Sequence, residues 1–159
     1  MSTIDDAIRL ENQAEANYRK AAQETSDPGV REILTLLADE EAQHAESLAA
    51  LEMVPFEGPD LMDSARKWIR GVVEGGASRL STEASLLDVL RRAMTIEQTT
   101  EAFYRDHQHR SQDEPAQELF RQLAEAERNH YHFVSSLIEY YDRPNEWVES
   151  AEFGLRDEY

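Results

Sequence analysis

Apolar residues recur at three- and four-residue intervals through four long segments, and no stretch keeps up the alternation that a half-buried strand requires. The first segment runs from about Ser2 to Glu24 and carries a stripe of Ile4, Ala7, Ile8, Glu11, Ala14, Tyr18 and Ala21, with Ser2 and Asp5 in capping-box spacing. The second opens after Asp27 with Pro28 in its first turn; its stripe is Val30, Leu34, Leu37, Ala38, Glu41, His44, Ala45, Leu48 and Leu51. A third, opened by Ser81 or Ser85, presents Leu86, Leu90, Ala93, Met94, Glu97, Thr100 and Tyr104. The fourth follows the Ser111 to Pro115 turn and presents Phe120, Leu123, Ala124, Glu127, His130, Tyr131, Val134, Leu137 and Ile138. The pattern predicts an all-α four-helix bundle.

Two short connections make each pair of helices an antiparallel hairpin. Between the pairs, residues 52–84 are long enough to cross the height of a bundle and contain a predicted short helix, Leu61 to Val73, with Trp68 and Ile69. The two hairpins repeat one another. Ala7, Glu11, Glu15, Ala16, Tyr18, Arg19, Asp27, Glu32, Leu37, Ala38, Glu41 and His44 all recur unchanged 86 residues later, which one constant offset without a gap makes the mark of a duplication.

The polar members of the stripes carry the chemistry. A carboxylate on a core-facing stripe costs several kcal/mol, as an order of magnitude, unless a partner neutralises it. Here Glu11, Glu41, Glu97 and Glu127 converge with His44 and His130. Glu41-x-x-His44 and Glu127-x-x-His130 place a carboxylate and an imidazole one turn apart on one face, and the other two helices supply one Glu each. This is the donor set of dinuclear carboxylate bundles. It assigns Glu11, Glu41 and His44 to one ion and Glu97, Glu127 and His130 to the other, with Glu41 and Glu127 bridging. Two divalent ions balance four carboxylates, so the filled site can be buried. The donor set by itself does not choose among iron, manganese and zinc, because oxygen and nitrogen donors bind all three. A metalloprotease His-Glu-x-x-His is excluded, since Glu40 and Ala126 stand where its other histidine would be.

Tyr18 and Tyr104 follow Glu11 and Glu97 by seven residues on the same face, within reach of a ligand carboxylate and able to donate an electron. Asp39, Glu40 and Glu125, and likewise His107, His109 and His132, miss the stripe by helical angle and are expected in solvent. Met53 alone is too little for a haem site.

Charge and composition narrow the partners. The net charge of −17 repels nucleic acid and anionic membrane surfaces, and no apolar run is long enough to span a membrane. With no cysteine among 159 residues, thiolate zinc, iron–sulfur clusters and disulfides are excluded. The N-terminus has neither a basic nor an apolar signal region, so a cytoplasmic location is expected.

Through Glu11, Tyr18, Glu41-x-x-His44, Glu97, Tyr104 and Glu127-x-x-His130, residues 2–141 resemble the ferritin-like superfamily, and within it the rubrerythrin-type proteins. The resemblance implies an up-down-down-up bundle holding a non-haem di-iron centre that reacts with O2 or H2O2, and pairing of bundles into a homodimer. Two departures stand out. The cysteine-held iron of a rubredoxin domain has no residues here, so turnover calls for an external electron donor. Thr100 occupies the position of an additional family glutamate, one turn after Glu97. The expected organisation is a bundle over residues 1–143 and a tail over 144–159 whose Trp147, Val148 and Phe153 pack on the bundle or a neighbouring subunit. The expected function is a di-iron peroxidase or ferroxidase; the alternatives are a metal-binding or storage protein without turnover, or a bundle whose metal is a folding element.

Overall fold

The computed structural model describes residues 3–54, 56–74 and 84–142. Among them are five helices and no strand: α1 (Thr3–Glu24), α2 (Pro28–Ala50), α3 (Leu61–Glu74), α4 (Ala84–Arg110) and α5 (Glu114–Asp142). The expected N-terminal cap at Ser2, the alternative start at Ser81 and the tail with Trp147, Val148 and Phe153 lie outside the described residues. The described part of the third long helix begins at Ala84, one residue before Ser85.

The duplication is written into the turns. Asp27 caps α2, its Oδ1 accepting hydrogen bonds from the Gly29 and Val30 amides at 2.8 and 3.1 Å. Asp113 caps α5 in the same way, Oδ2 accepting from the Ala116 amide at 3.0 Å. The mirrored side chains Arg31 and Gln117 donate to the mirrored carbonyls of Thr25 and Ser111 at 2.8 and 2.6 Å. Each hairpin turn is therefore held from both sides by its own residues.

The far end of α2 departs from the stripe. Leu51, in register with the apolar face, is 58% exposed and has a left-handed backbone, φ 57°. Chain reversal explains it: the Leu51 and Glu52 amides turn back to the Leu48 and Ser47 carbonyls at 3.3 and 3.1 Å, which carries the Leu51 side chain off the helix face.

The long helices α1 and α2 pack as one hairpin and α4 and α5 as the other, with α1 against α4. Side-chain pairs across the two halves give the directions. Tyr18 meets Glu97 while Tyr104 meets Glu11, so α1 and α4 run antiparallel. Glu41 meets His130 while His44 meets Glu127, so α2 and α5 do too. The bundle is up-down-down-up.

Its apolar interior is in two parts. One cluster gathers Tyr18, Ala21, Ile33, Leu37, Leu90, Phe133 and Leu137 with their neighbours; the other gathers Ala7, Leu48, Tyr104, Leu119, Phe120 and Leu123. Met53 packs on the second cluster as an ordinary core side chain. Between the clusters lies a buried polar layer of Glu11, Glu41, His44, Glu97, Thr100, Glu127 and His130. The crossover helix α3 packs on α2, where Trp68 sits so close to the first turn that a Cβ on Gly29 would lie 2.1 Å from Trp68 Cδ1. No helix among the described residues is long and apolar enough to cross a membrane.

Candidate metal centre

Helical spacing carries the six expected donors to one level of the bundle. Glu11 and Glu97 come from α1 and α4, and the two Glu-x-x-His pairs come from α2 and α5. The four carboxylates are fully buried and His44 and His130 nearly so. They form two overlapping groups, Glu11, Glu41, His44 and Glu127 in one and Glu41, Glu97, Glu127 and His130 in the other. Within each, one donor atom per residue lies within 4.8 Å of all the rest. Glu41 and Glu127 belong to both groups, as bridging carboxylates must.

The Nδ1 atoms of both histidines face this layer. His130 Nδ1 is 2.7 Å from Glu41 Oε1, and His44 Nδ1 is 3.2 Å from Glu41 Oε2, so one carboxylate spans the two imidazoles. The rings lie nearly parallel with centroids 5.5 Å apart. Glu127 Oε1 lies 2.8 Å from His44 Nδ1, without the alignment of a hydrogen bond.

Burial and neighbouring charge divide the protons among these groups. Burial, and after it the negative Glu127, holds the Glu11 carboxyl well above the usual carboxylate range; burial with Glu41 and Glu127 does the same to Glu97. Burial pushes Glu41 upward as well, but the charge and hydrogen bonds of His130 and His44 together outweigh it and hold Glu41 below the usual range. For His130 burial works against the charged ring, yet Glu41 and Glu40 push its pKa up to about 10. His44 is raised likewise, burial being overcome by Glu11, Glu127 and Glu41. In the metal-free protein two imidazolium charges thus stand in for cations.

These residues fit metal ions better than they fit one another. Glu11 Oε2, Glu97 Oε2 and Glu127 Oε1 are buried oxygens with no hydrogen-bond donor. A carboxylate oxygen buried without a hydrogen bond is costly even beside a histidine, and all three belong to the two donor groups, where a cation would satisfy them together. The donors are oxygen and imidazole nitrogen, the set that iron, manganese and zinc share.

Four contacts around the layer depend on how the helices face one another, which the stripes do not state. The tyrosines cross between repeats: Tyr18 donates to Glu97 and Tyr104 to Glu11, one from each apolar cluster. Burial, and next the adjacent carboxylate charge, raise both phenols, so they remain protonated donors. Thr100 is fully buried, and its Oγ1 lies 2.9 Å from Glu127 Oε2 as well as near its own helix carbonyls. Glu40, expected in solvent, instead reaches across to α5, its Oε2 2.6 Å from His130 Nε2, with its side chain only 19% exposed. The available signal was an acidic residue beside a ligand position on the helix facing His130. The angle from its own stripe pointed outward, and that angle says nothing about the width of the gap between α2 and α5.

The remaining acidic and histidine residues of these helices lie off the site. Glu15 and its repeat counterpart Glu101 pair with Arg19 and Arg105 at 2.8 and 2.9 Å, Asp39 also pairs with Arg19, and Glu125 pairs with Arg121. His109 and His132 are exposed, and His107 stacks on Phe103.

An antiparallel bundle with two overlapping buried carboxylate and histidine groups on a two-fold repeat defines the class of ferritin-like dinuclear metal-carboxylate proteins. Residues 3–138 match the family profile described as Rubrerythrin, and the chain belongs to the rubrerythrin family; its 159 residues include no cysteine. Among solved structures it is similar to a hypothetical protein, Pfu-1136390-001, from Pyrococcus furiosus, at 25% identity, with 89% of each chain covered and a TM-score of 0.67. No curated protein matches. The two groups match a rubrerythrin-type di-iron carboxylate site.

Proposed function

We propose that the protein is a non-haem di-iron oxidoreductase that reduces hydrogen peroxide, or reacts with O2, at this centre. Glu11, Glu41, His44 and Glu127 hold one iron, and Glu41, Glu97, Glu127 and His130 hold the other. The observation that carries the reading is the pair of overlapping donor groups that share Glu41 and Glu127, with three of their buried oxygens lacking any donor. Zinc or manganese would fit the donor atoms equally, but family membership favours iron.

When bound, two Fe(II) supply the two electrons that, with two protons, take one H2O2 to two waters, leaving two Fe(III) for an external reductant to restore. The chain's own residues do the rest. Glu11 and Glu97 terminate the site from opposite helices, each steered by the tyrosine of the other repeat. Glu41 and Glu127, which belong to both donor groups, would serve both ions. The apolar clusters on either side keep bulk water from the layer, which strengthens every charge interaction within it. Tyr18 and Tyr104 keep their protons and orient the carboxylates, and they are the nearest oxidisable side chains should an electron be needed.

The test is anaerobic loading of metal-free protein with Fe(II), followed by H2O2 or air. Uptake of two irons per chain, the near-ultraviolet absorbance of an oxidised di-iron centre, and peroxide loss faster than with free Fe(II) are expected. Two irons bound with no faster peroxide loss would leave a metal-binding protein without this turnover.

A further inference from the structure

The duplication gives both halves the same six donors but not the same surroundings. With the metal held through Nδ1, each imidazole must carry its proton on Nε2, and an acceptor at that proton fixes the tautomer and the ring's angle and makes Nδ1 a better donor. His130 has such an acceptor, Glu40 Oε2 at 2.6 Å from its Nε2. Moving 86 residues along the repeat exchanges His130 for His44 and Glu40 for Ala126, so the residue that should serve His44 is a methyl group. A second asymmetry falls in the same half of the molecule: Thr100 places a hydroxyl 2.9 Å from Glu127 Oε2, and its repeat counterpart is Ala14.

We infer that Glu40 is a positioning residue that locks His130 for metal and makes the two iron sites unequal, the site of Glu97 and His130 being the tighter and the first to fill. The inference rests on the di-iron reading above and deepens it. On one side of the centre a carboxylate backs the imidazole that would hold the ion; on the other, His44 presents its Nδ1 with no such carboxylate behind it among the described residues. The order of filling follows. The first ion goes to the preorganised side and settles Glu41 and Glu127, and the second completes the pair on the side that is easier to empty.

The test is an anaerobic calorimetric titration of metal-free protein with Fe(II), with a Mössbauer spectrum at one 57Fe per chain. The wild type is expected to bind two ions in two separable steps and to show one dominant iron environment at one equivalent. Glu40→Ala should weaken the tighter step by about 10- to 100-fold, leave the weaker step in place and spread one equivalent over two environments. Glu40→Gln, which still offers an oxygen but no charge, should fall between. Ala126→Glu removes no contact of Glu40 and probes the other side: it should tighten the weaker step and bring the two environments toward equal filling. Two equal steps in the wild type, with neither changed by Glu40→Ala, would overturn the inference while leaving the di-iron centre standing. Failure of the wild type to take up two ions would remove the reading beneath it as well.

Discussion

Tyr18 on α1 hydrogen-bonds Glu97 on α4, a residue of the other repeat, and each half of the molecule thereby finishes the other half's site. Tyr104 returns the contact to Glu11. Each buried terminal glutamate thus takes its phenol donor from the other repeat.

Replacing Tyr18 with Phe keeps the ring in its apolar cluster and removes only the donor. The metal-free protein should lose about 1–3 kcal/mol, and Glu97, deprived of a contact that favours its charged form, should hold its proton still more tightly. Tyr104→Phe should cost a similar amount. Denaturant unfolding of the two variants checks this, and a large inequality between them would contradict the symmetric crossing.

Metal uptake should be proton-coupled. At neutral pH an incoming ion must displace the proton of His130, whose pKa stands at about 10, and that of His44, which is raised well above its usual value. Apparent affinity should therefore rise with pH, about tenfold per unit for each proton expelled. Calorimetry in buffers of different ionisation enthalpy counts those protons.

The metal-free fold should respond oppositely. The extra stability from the histidines is complete below their unfolded value of 6.5 and, for His130, is lost as pH rises through about 10. Glu11 and Glu97, raised above 4.5, also cost stability as pH climbs past that value, whereas Glu41 has given its full contribution by then. Thermal unfolding of metal-free protein should thus occur at steadily lower temperature from pH 5 to 10, a trend that bound metal abolishes.

Glu41 carries the heaviest load, facing both imidazoles. Glu41→Ala leaves two buried rings without their common counter-charge and should destabilise the metal-free protein by about 3–5 kcal/mol. It should also reduce iron uptake below two per chain. Circular dichroism and iron analysis read the two effects separately, and loss of uptake with the fold intact marks a functional rather than a structural metal.

Gly29→Ala should weaken the attachment of the crossover. The new methyl would overlap the Trp68 indole, so the ring must shift, at a cost of about 1–3 kcal/mol. Loss of stability with iron uptake unchanged, followed by Trp fluorescence, is the expected result.

Much of this was legible in the chain. The stripe that holds Glu11, Glu41, Glu97 and Glu127 is the core face because burial and helical period act together, and the 86-residue offset carried every donor into its partner's place. What escaped depends on distances between helices. Periodicity states which way Glu40 leaves its own helix, but the 2.6 Å contact with His130 depends on how far α5 stands from α2. The same holds for the crossing of the tyrosines and for Thr100 reaching Glu127. Leu51 escaped for a local reason, since the demand of helix termination for a left-handed residue overrode the apolar register.

The division of the apolar interior by a polar layer also leaves the centre closed along the bundle axis. Hydrocarbon lies above and below it, so whatever contact the layer keeps with solvent is sideways, between helices. The seam between α2 and α5 is edged by Glu40, part wet at its rim and bonded to a nearly dry histidine within. The centre is thus nearest to water at its flank, and the carboxylate that braces His130 is the group placed between the two.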